Sequence, residues 1–215
     1  MKASRFPAAA LFDLDGVLLD TEPVYTRIWS DIERVYPTGI DNFALKIKGN
    51  TLPRILDTYF PDPDVQAAVK AMLAEREEAM EYPVFDGVMD FLEGLRRLHI
   101  PAAIVTSSGD AKMQRIARKE PEFMAMFRAL VTDSCVTHSK PHPEPYLKGA
   151  EALGADPARC LVFEDSFAGI DAGHAAGCTV VAIATTNSRE SLTGRAAVIL
   201  DTLADLSAAE LLEIL

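Results

Sequence analysis

A chain of 215 residues with 49% hydrophobic and 25% charged residues is long enough and apolar enough for one domain with a large core, which excludes a disordered protein. Its formal net charge of −11 disfavours the basic surfaces that nucleic acids and anionic membranes require. Three cysteines without a pairing pattern, no signal peptide and no membrane-length apolar run predict a cytoplasmic protein, which we expect to be a monomer.

The first predicted strand, Ala8–Phe12, ends abruptly in Asp13 and Asp15. An unpaired buried carboxylate is costly, so this placement indicates a calcium loop, a tight turn or an active site. An EF-hand loop requires glycine at its sixth position and a terminal glutamate, whereas Gly16 is the fourth residue here. A tight turn accounts for Gly16 and one aspartate, but not for two acids.

The next part of the chain, residues 20–83, carries helical patterns and no convincing strand. One apolar stripe is formed by Val24, Ile28, Ile32 and Val35. An all-helical insertion after the first strand is therefore predicted over 20–83, and the remaining domain is predicted to comprise 1–19 and 84–215.

Five further short apolar runs alternate with helical patterns after the insertion. They are Ala102–Val105, Ala129–Thr132, Cys160–Phe163, Val180–Ala184 and Ala197–Leu200. Their nearly unbroken hydrophobicity is typical of parallel strands that are covered on both faces. We therefore predict an α/β fold with a doubly wound, mainly parallel sheet and a Rossmann-like core.

Four residues are predicted to mark helix ends in this second part. Asp86, Ser108 and Ser166 are predicted N-caps, because their side chains can accept a hydrogen bond from the first turn. Gly177 is predicted to end the helix that Ser166 begins, since glycine readily adopts the left-handed conformation there.

Polar residues follow the predicted strands where each strand ends. Thr106 and Ser107 follow the second strand, Lys140 lies in the loop after the third, and Glu164 and Asp165 end the fourth. Ligands bind at the carboxyl ends of strands in open α/β sheets. The acids suit Mg²⁺, the hydroxyls and the lysine suit a phosphate, and a carboxylate can accept a phosphoryl group.

The motifs "LFDLDGVLLDTEP", "VTSSG", "SKPHPEPY" and "LVFEDSFAG", in this order, resemble the haloacid dehalogenase superfamily. The resemblance is to its phosphatases with a helical cap after the first strand, in the β-phosphoglucomutase-like and sugar-phosphate phosphatase branch. It implies that Asp13 is the nucleophile and that Asp15 is the general acid and then the base. Asp15 also argues against a dehalogenase, because those enzymes lack this second aspartate.

The resemblance also implies a set of ligands. The implied phosphate-binding residues are Leu14, Asp15, Thr106, Ser107 and Lys140, of which Thr106 and Lys140 also count as catalytic. The implied Mg²⁺ ligands are Asp13, the backbone carbonyl of Asp15, Glu164 and Asp165. For Glu164, direct ligation and orientation of a metal-bound water are both open.

Substrate choice is implied to depend on the helical cap. The candidate residues are Tyr25, Lys48, Asn50, Thr51 and Arg54. Tyr25 and Leu52 stand where β-phosphoglucomutase has a histidine and an arginine that serve its second phosphate. The sequence therefore predicts a Mg²⁺-dependent hydrolase of a small phosphorylated metabolite. A phosphomutase is the alternative, and a catalytically silent binding protein is a further one.

Overall fold

The computed structural model describes residues 7–47 and 52–214. The chain divides into two compact units. The sheet unit comprises the chain up to Asp20 and from Tyr82 onward, and the helical unit comprises Thr21–Glu81. Each unit is described by itself below.

The sheet unit is built on six parallel strands. They are β1 (Ala9–Phe12), β2 (Ala102–Val105), β3 (Ala129–Val131), β4 (Cys160–Glu164), β5 (Thr179–Ile183) and β6 (Val198–Leu200). Their order in the sheet is β3-β2-β1-β4-β5-β6, and every neighbouring pair is parallel. This order, with helical crossovers between the strands, confirms the predicted doubly wound α/β fold.

The helical unit contains α1 (Glu22–Val35), α2 (Phe43–Lys46), α3 (Leu52–Tyr59) and α4 (Pro63–Ala79), and its described residues form no strand. Its core includes the aromatic rings of Trp29 and Phe43, whose centroids are 6.1 Å apart in an edge-to-face arrangement. The side chain of Asp62 caps α4 by accepting a hydrogen bond from the N–H of Asp64 at 2.8 Å. Val35 is 56% exposed, so its predicted place in the apolar stripe is wrong.

The helices of the sheet unit follow the strands along the chain. They are α5 (Val88–Arg97), α6 (Asp110–Lys119), α7 (Pro121–Met124), α8 (Glu144–Ala152), α9 (Phe167–Ala175), α10 (Arg189–Leu192) and α11 (Ala208–Ile214), with 3₁₀ turns at Asp133–Cys135 and Pro157–Arg159. Across 7–47 and 52–214, none of the helices combines the length and the apolar character needed to cross a bilayer.

Of the four predicted helix ends, those at Ser166 and Gly177 are confirmed and those at Asp86 and Ser108 are wrong. Ser166 caps α9 by accepting a hydrogen bond from the N–H of Gly169, and Gly177 follows this helix with φ of 81°. The residue before α5 is Gly87, with φ of 82°, and not the predicted Asp86. A Cβ atom at Gly87 would lie 2.5 Å from the backbone of Ala204, so close packing selects glycine there.

Aromatic packing fixes the end of β1 beside the end of β4. The ring of Phe12 stacks on that of Phe163 with centroids 4.3 Å apart, and Phe91 packs edge-on against both rings. Each such pair contributes about 0.5–1.5 kcal/mol beyond the burial of its area. The residues that directly follow Phe12 and Phe163 are thereby held at one edge of the sheet.

Candidate active site at the carboxyl ends of the strands

The acids that end β1 and β4 meet at this edge. The backbone N–H of Asp13 donates to the carbonyl of Phe163 at 3.0 Å, which continues the sheet by one residue. Carboxylate oxygens of Asp13, Glu164 and Asp165 all lie within 4.8 Å of one another. The structure therefore brings together three acids that are as many as 152 positions apart in the chain, counting from Asp13 to Asp165.

Lys140 is buried among these acids, with 6% of its side chain exposed. Its Nζ lies 2.5 Å from Oδ1 of Asp13 and 2.6 Å from Oε1 of Glu164, and it donates to the carbonyl of Val105 at 3.0 Å. These three contacts use all the hydrogens of an ammonium group. Burial alone lowers the pKa of Lys140, but the charges of Asp13 and Glu164 outweigh burial and raise it, so the group is cationic.

The carboxylate of Glu164 is fully buried and accepts hydrogen bonds at both oxygens. Oε1 accepts from Lys140 and, at 2.7 Å, from the hydroxyl of Tyr146. Oε2 accepts from the N–H groups of Asp165 and Ser166 and from the Ser166 hydroxyl, at 3.1, 3.1 and 2.9 Å. Burial raises the pKa of Glu164, but Lys140 outweighs it, so the pKa is lowered and the group is a carboxylate.

Two glycines leave room for these acids. A Cβ atom at Gly169 would lie 1.7 Å from Oε1 of Glu164, and one at Gly16 would lie 2.1 Å from Oδ2 of Asp165. Gly16 also has φ of 85°, which side-chain-bearing residues rarely adopt. The segments 13–16 and 164–169 therefore supply both the acids and the space that the acids need.

Asp165 is held by residues that the sequence reasoning did not identify. The hydroxyl of Thr186 donates to its Oδ2, and the side-chain amide of Asn187 donates to its carbonyl at 2.8 Å. Both follow β5, so they share the signal of a polar strand end that identified the other site residues. Burial, followed by the charge of Glu164, raises the pKa of Asp165 to about 7.

Asp13 is also destabilised as an anion. Burial raises its pKa well above the usual range, and the charges of Glu164 and Asp165 add to this effect against the opposing charge of Lys140. Three crowded acids with one lysine leave an excess of negative charge when they are all ionised. The hard oxygen donors of this set fit a bound Mg²⁺, whose charge would favour the ionised acids.

Asp15 is paired with two residues of the segment that follows β2. The hydroxyl of Ser108 donates to its Oδ2 at 3.0 Å, and Nζ of Lys112 lies 2.6 and 2.7 Å from its two carboxylate oxygens. The prediction that Ser108 is a helix cap is wrong, because Gly109 occupies the N-cap of α6 without any side-chain bond. Lys112 was not predicted, since one lysine on an amphipathic helix carries no signal of its partner.

Apart from Lys140, the predicted phosphate-binding residues lie at the ends of the neighbouring strands β1 and β2. Leu14 is fully buried, Thr106 is 5% exposed and Ser107 is exposed. The hydroxyl of Thr106 accepts a hydrogen bond from the N–H of Ser108 at 3.0 Å, which forms a tight turn after β2. This turn presents Ser107 to the solvent at the carboxyl edge of the sheet.

Two of the five predicted specificity residues can be located in the helical unit. Tyr25 lies on α1, donates through its hydroxyl to Oε1 of Glu77 at 3.2 Å, and lines a cavity of about 240 Å³. Trp29 and Leu52 also line this cavity. Arg54 is exposed on α3. The other three candidates, Lys48, Asn50 and Thr51, lie outside the described residues.

Comparisons with known proteins bear on this arrangement. The model of the haloacid dehalogenase-like hydrolase family matches residues 7–177. The chain is 34% identical over 177 residues to hexitol phosphatase A of Escherichia coli, covering 80% of this chain and 81% of the relative. It is 33% identical over 193 residues to glycerol-1-phosphate phosphohydrolase 2 of Saccharomyces cerevisiae, covering 83% and 75%.

A similar solved structure is that of a family hydrolase from Deinococcus radiodurans with bound phosphate and sodium. The TM-score is 0.79 and the sequence identity is 27%, and the alignment covers 99% of this chain and 97% of the other. The structural similarity therefore extends over residues of both units of the chain.

Proposed function

This chain belongs to the haloacid dehalogenase-like hydrolase family and is a phosphatase, and from that premise we propose that it hydrolyses a small phosphomonoester with Mg²⁺ through an aspartyl-phosphate on Asp13. The observation that carries the proposal is the buried contact of Lys140 with both Asp13 and Glu164. Burying a lysine with acids carries a desolvation cost, so its presence at the carboxyl edge of the sheet supports a role for its charge in the reaction.

In the proposed first step, a carboxylate oxygen of Asp13 attacks the phosphorus atom and the alcohol leaves. The attack brings a carboxylate towards an anionic phosphate, so positive charge must offset their repulsion. Lys140 supplies one such charge at 2.5 Å from Oδ1 of Asp13. Thr106 and Ser107, at the turn after β2, are proposed to hold the phosphate oxygens.

The proposed Mg²⁺ ligands are Asp13, Asp165 and the backbone carbonyl of Asp15. When bound, Mg²⁺ would neutralise charge on the phosphoryl oxygens and help to align them. Thr186 and Asn187 hold the side chain and the backbone of Asp165 in place, as outer residues commonly do for metal-binding acids.

Glu164 is proposed to position Lys140 instead of binding the metal directly. Its carboxylate accepts hydrogen bonds from Lys140, Tyr146 and the segment Asp165–Ser166, so both oxygens already have partners. A direct metal contact would require one of these buried bonds to be replaced. Glu164 and Tyr146 therefore hold the lysine ammonium beside Asp13.

Asp15 is proposed to take up a proton from the bound phosphate monoester, to donate it to the oxygen of the departing alcohol, and then to take a proton from the water that attacks the phosphoenzyme. Its carboxylate is held between Ser108 and Lys112, which limits its rotation. A carboxyl group held in this way loses less orientation entropy in the transition state than a freely rotating one.

The helical unit is proposed to act as a cap that selects the alcohol part of the substrate. The names of the two relatives place their phosphates on hexitols and on glycerol, which are uncharged polyols. None of the described residues that line the cavity beside Tyr25 is a lysine or an arginine. Tyr25 and Leu52, which stand where β-phosphoglucomutase has a histidine and an arginine, line this cavity. These replacements favour a substrate with one phosphate, and favour hydrolysis over a mutase cycle, which must retain a bisphosphate.

The test is a screen of sugar phosphates and polyol phosphates for phosphate release, with and without Mg²⁺. We expect release from at least one uncharged polyol or sugar monophosphate, and only with Mg²⁺. β-Glucose 1-phosphate is assayed in parallel with glucose-6-phosphate dehydrogenase and a trace of bisphosphate primer. Formation of glucose 6-phosphate faster than release of phosphate would show a mutase instead.

A further inference from the structure

Two of the four histidines of the chain flank Lys140 in the loop between the Asp133–Cys135 turn and α8. These residues, His138 and His142, form a cluster with Glu144, the first residue of α8. One nitrogen of each imidazole and one carboxylate oxygen of Glu144 all lie within 4.8 Å of one another. The proposed catalytic chemistry uses none of these three side chains.

The two imidazole rings lie face to face. Their centroids are 4.5 Å apart and their planes are inclined by 31°. The backbone N–H of Glu144 donates to Nδ1 of His142 at 3.2 Å, which fixes the position of this ring beside the other. A neutral imidazole binds a metal ion through the ring nitrogen that carries the lone pair.

Glu144 organises the loop around this pair. Its carboxylate accepts the backbone N–H groups of Thr137 and His138, each at 2.9 Å, and its Oε2 lies 3.0 Å from Nδ1 of His138. These hydrogen bonds, led by that from Thr137, lower the pKa of Glu144 to about 2, so it is a carboxylate at neutral pH. A carboxylate only accepts hydrogen bonds, so Nδ1 of His138 donates to it, which leaves Nε2 as the nitrogen that can bind an ion when the ring is neutral.

We infer that His138, His142 and Glu144 form a site for a divalent transition-metal ion such as Zn²⁺. Two imidazoles with a carboxylate are a ligand set that zinc accepts, with bond lengths of roughly 2.0–2.2 Å and a further position left for water. An ion bound at Nδ1 of His142 would replace the hydrogen bond that this nitrogen accepts from the N–H of Glu144. The side chain of His138 is 61% exposed, so it can rotate the short distance needed to bring its nitrogen to the ion. Glu144 then either binds the ion or orients His138 towards it.

This site differs in chemistry from the three acids at the strand ends. Imidazole nitrogen favours zinc, nickel, copper or cobalt, whereas a site of oxygen donors alone suits Mg²⁺. Excess Mg²⁺ should therefore occupy the acid site without displacing Zn²⁺ from the histidines. An ion at this cluster would also restrain both flanks of Lys140, whose ammonium reaches Asp13.

The experiment is a titration of the full chain with Zn²⁺ in excess Mg²⁺, followed by calorimetry, with the visible spectrum of bound Co²⁺ as a second measurement. We expect one Zn²⁺ per chain and a Co²⁺ spectrum typical of nitrogen ligands. His138→Gln and His142→Gln should each weaken Zn²⁺ binding by at least about tenfold. Their Mg²⁺-dependent turnover in the absence of zinc should equal that of the unaltered protein.

Two control variants test other ligands. His99→Asn removes an exposed histidine elsewhere on the sheet unit, and Cys135→Ser removes the exposed thiol nearest in sequence to the cluster. Neither should change Zn²⁺ binding. Equal affinity in His138→Gln, His142→Gln and the unaltered protein would overturn the inference, as would loss of the site in Cys135→Ser alone. Because the titration does not depend on turnover, its failure is distinct from failure of the proposed phosphatase activity.

Discussion

The sheet unit buries a cluster of ionisable groups at the ends of its strands, whereas the helical unit lines its cavity largely with apolar side chains and with two acids, Glu22 and Glu77. In the sheet unit, Glu164 is fully buried and Lys140 has 6% of its side chain exposed. In the helical unit, the cavity beside Tyr25 is bordered by Trp29 and Leu52, and Tyr25 donates to Glu77.

The difference matters because buried charges tolerate few replacements. Each acid at the strand ends has partners whose bonds depend on its exact chemistry, so a change there leaves an unpaired charge that costs several kcal/mol. An apolar cavity wall accepts changes of shape at lower cost. We therefore propose that the sheet unit determines the reaction and the helical unit determines which alcohol is released.

The strongest test of this contrast is Asp13→Asn. The amide keeps the size of the side chain but is a poor nucleophile and carries no charge for Mg²⁺. We expect phosphate release to fall by roughly 10⁴-fold or more. Rapid-quench labelling should trap phosphate on Asp13 in the unaltered enzyme and not in the variant.

An unchanged circular dichroism spectrum would show that Asp13→Asn is folded. Turnover near that of the unaltered enzyme would show that Asp13 is not the nucleophile. It would also contradict the proposal that the sheet unit determines the reaction.

Metal removal tests the excess of negative charge in the sheet unit. A chelator should abolish turnover and added Mg²⁺ should restore it, since the acids need a cation. Ca²⁺ should inhibit, because it accepts more ligands in looser geometry than Mg²⁺ does. Full activity in the chelator would contradict the proposed metal site.

The two acids that end β4 should respond differently to loss of charge. Asp165→Asn should raise the Mg²⁺ concentration needed for half-maximal activity by about tenfold or more. Glu164→Gln should lower kcat by about tenfold and shift this concentration by less than about threefold, because it acts through Lys140. A large shift in Glu164→Gln would instead make Glu164 a direct ligand.

Glu164→Gln also loosens a buried ion pair and can cost about 3–5 kcal/mol of unfolding free energy. Tyr146→Phe is the milder companion, since it removes one hydrogen bond to Glu164 and keeps the ring, at a cost of about 1 kcal/mol. It should lower kcat without changing the Mg²⁺ requirement. Thermal unfolding of both variants separates loss of positioning from loss of folding.

Lys112→Met tests whether Lys112 positions Asp15 in the sheet unit. The variant loses the cation that lies 2.6 Å from Oδ1 of Asp15. We expect kcat to fall by about tenfold, because Asp15 is no longer held in its orientation, and KM to change little, because the substrate-binding residues are intact. Lys119→Met, on the same helix and exposed, is the matched control. Equal kcat in the two variants would contradict a positioning role for Lys112.

Tyr25→Phe should have the smallest effect, and it tests the helical unit. Removing the hydroxyl deletes its bond to Glu77 and leaves the ring in the cavity wall. We expect kcat on the preferred substrate to change by less than about threefold, while the ranking of alcohols by kcat/KM changes. A loss as large as that of Asp13→Asn would show that the helical unit takes part in the chemistry itself.

Most of the sheet could be predicted because its signals are local. The runs at β1 and β2 are short, apolar and followed at once by polar residues, and their predicted ends differ from the structure by at most one residue. The glycine and serine signals at α9 were equally local and were confirmed. Predictions failed at Asp86 and Ser108, where the neighbouring glycine occupies the end of the helix and the favoured cap residue does not.

By itself, the sequence determined the fold class, the order of the strands along the chain and the acids and lysine that follow them, because periodicity and turn chemistry act over a few residues. Only the tertiary structure decided which side chains meet. Lys112 reaches Asp15 across 97 positions, and Tyr146 reaches Glu164 across 18. The physical reason is that such contacts depend on how the crossovers pack helices on the sheet. Local sequence patterns do not specify which residues this packing brings together.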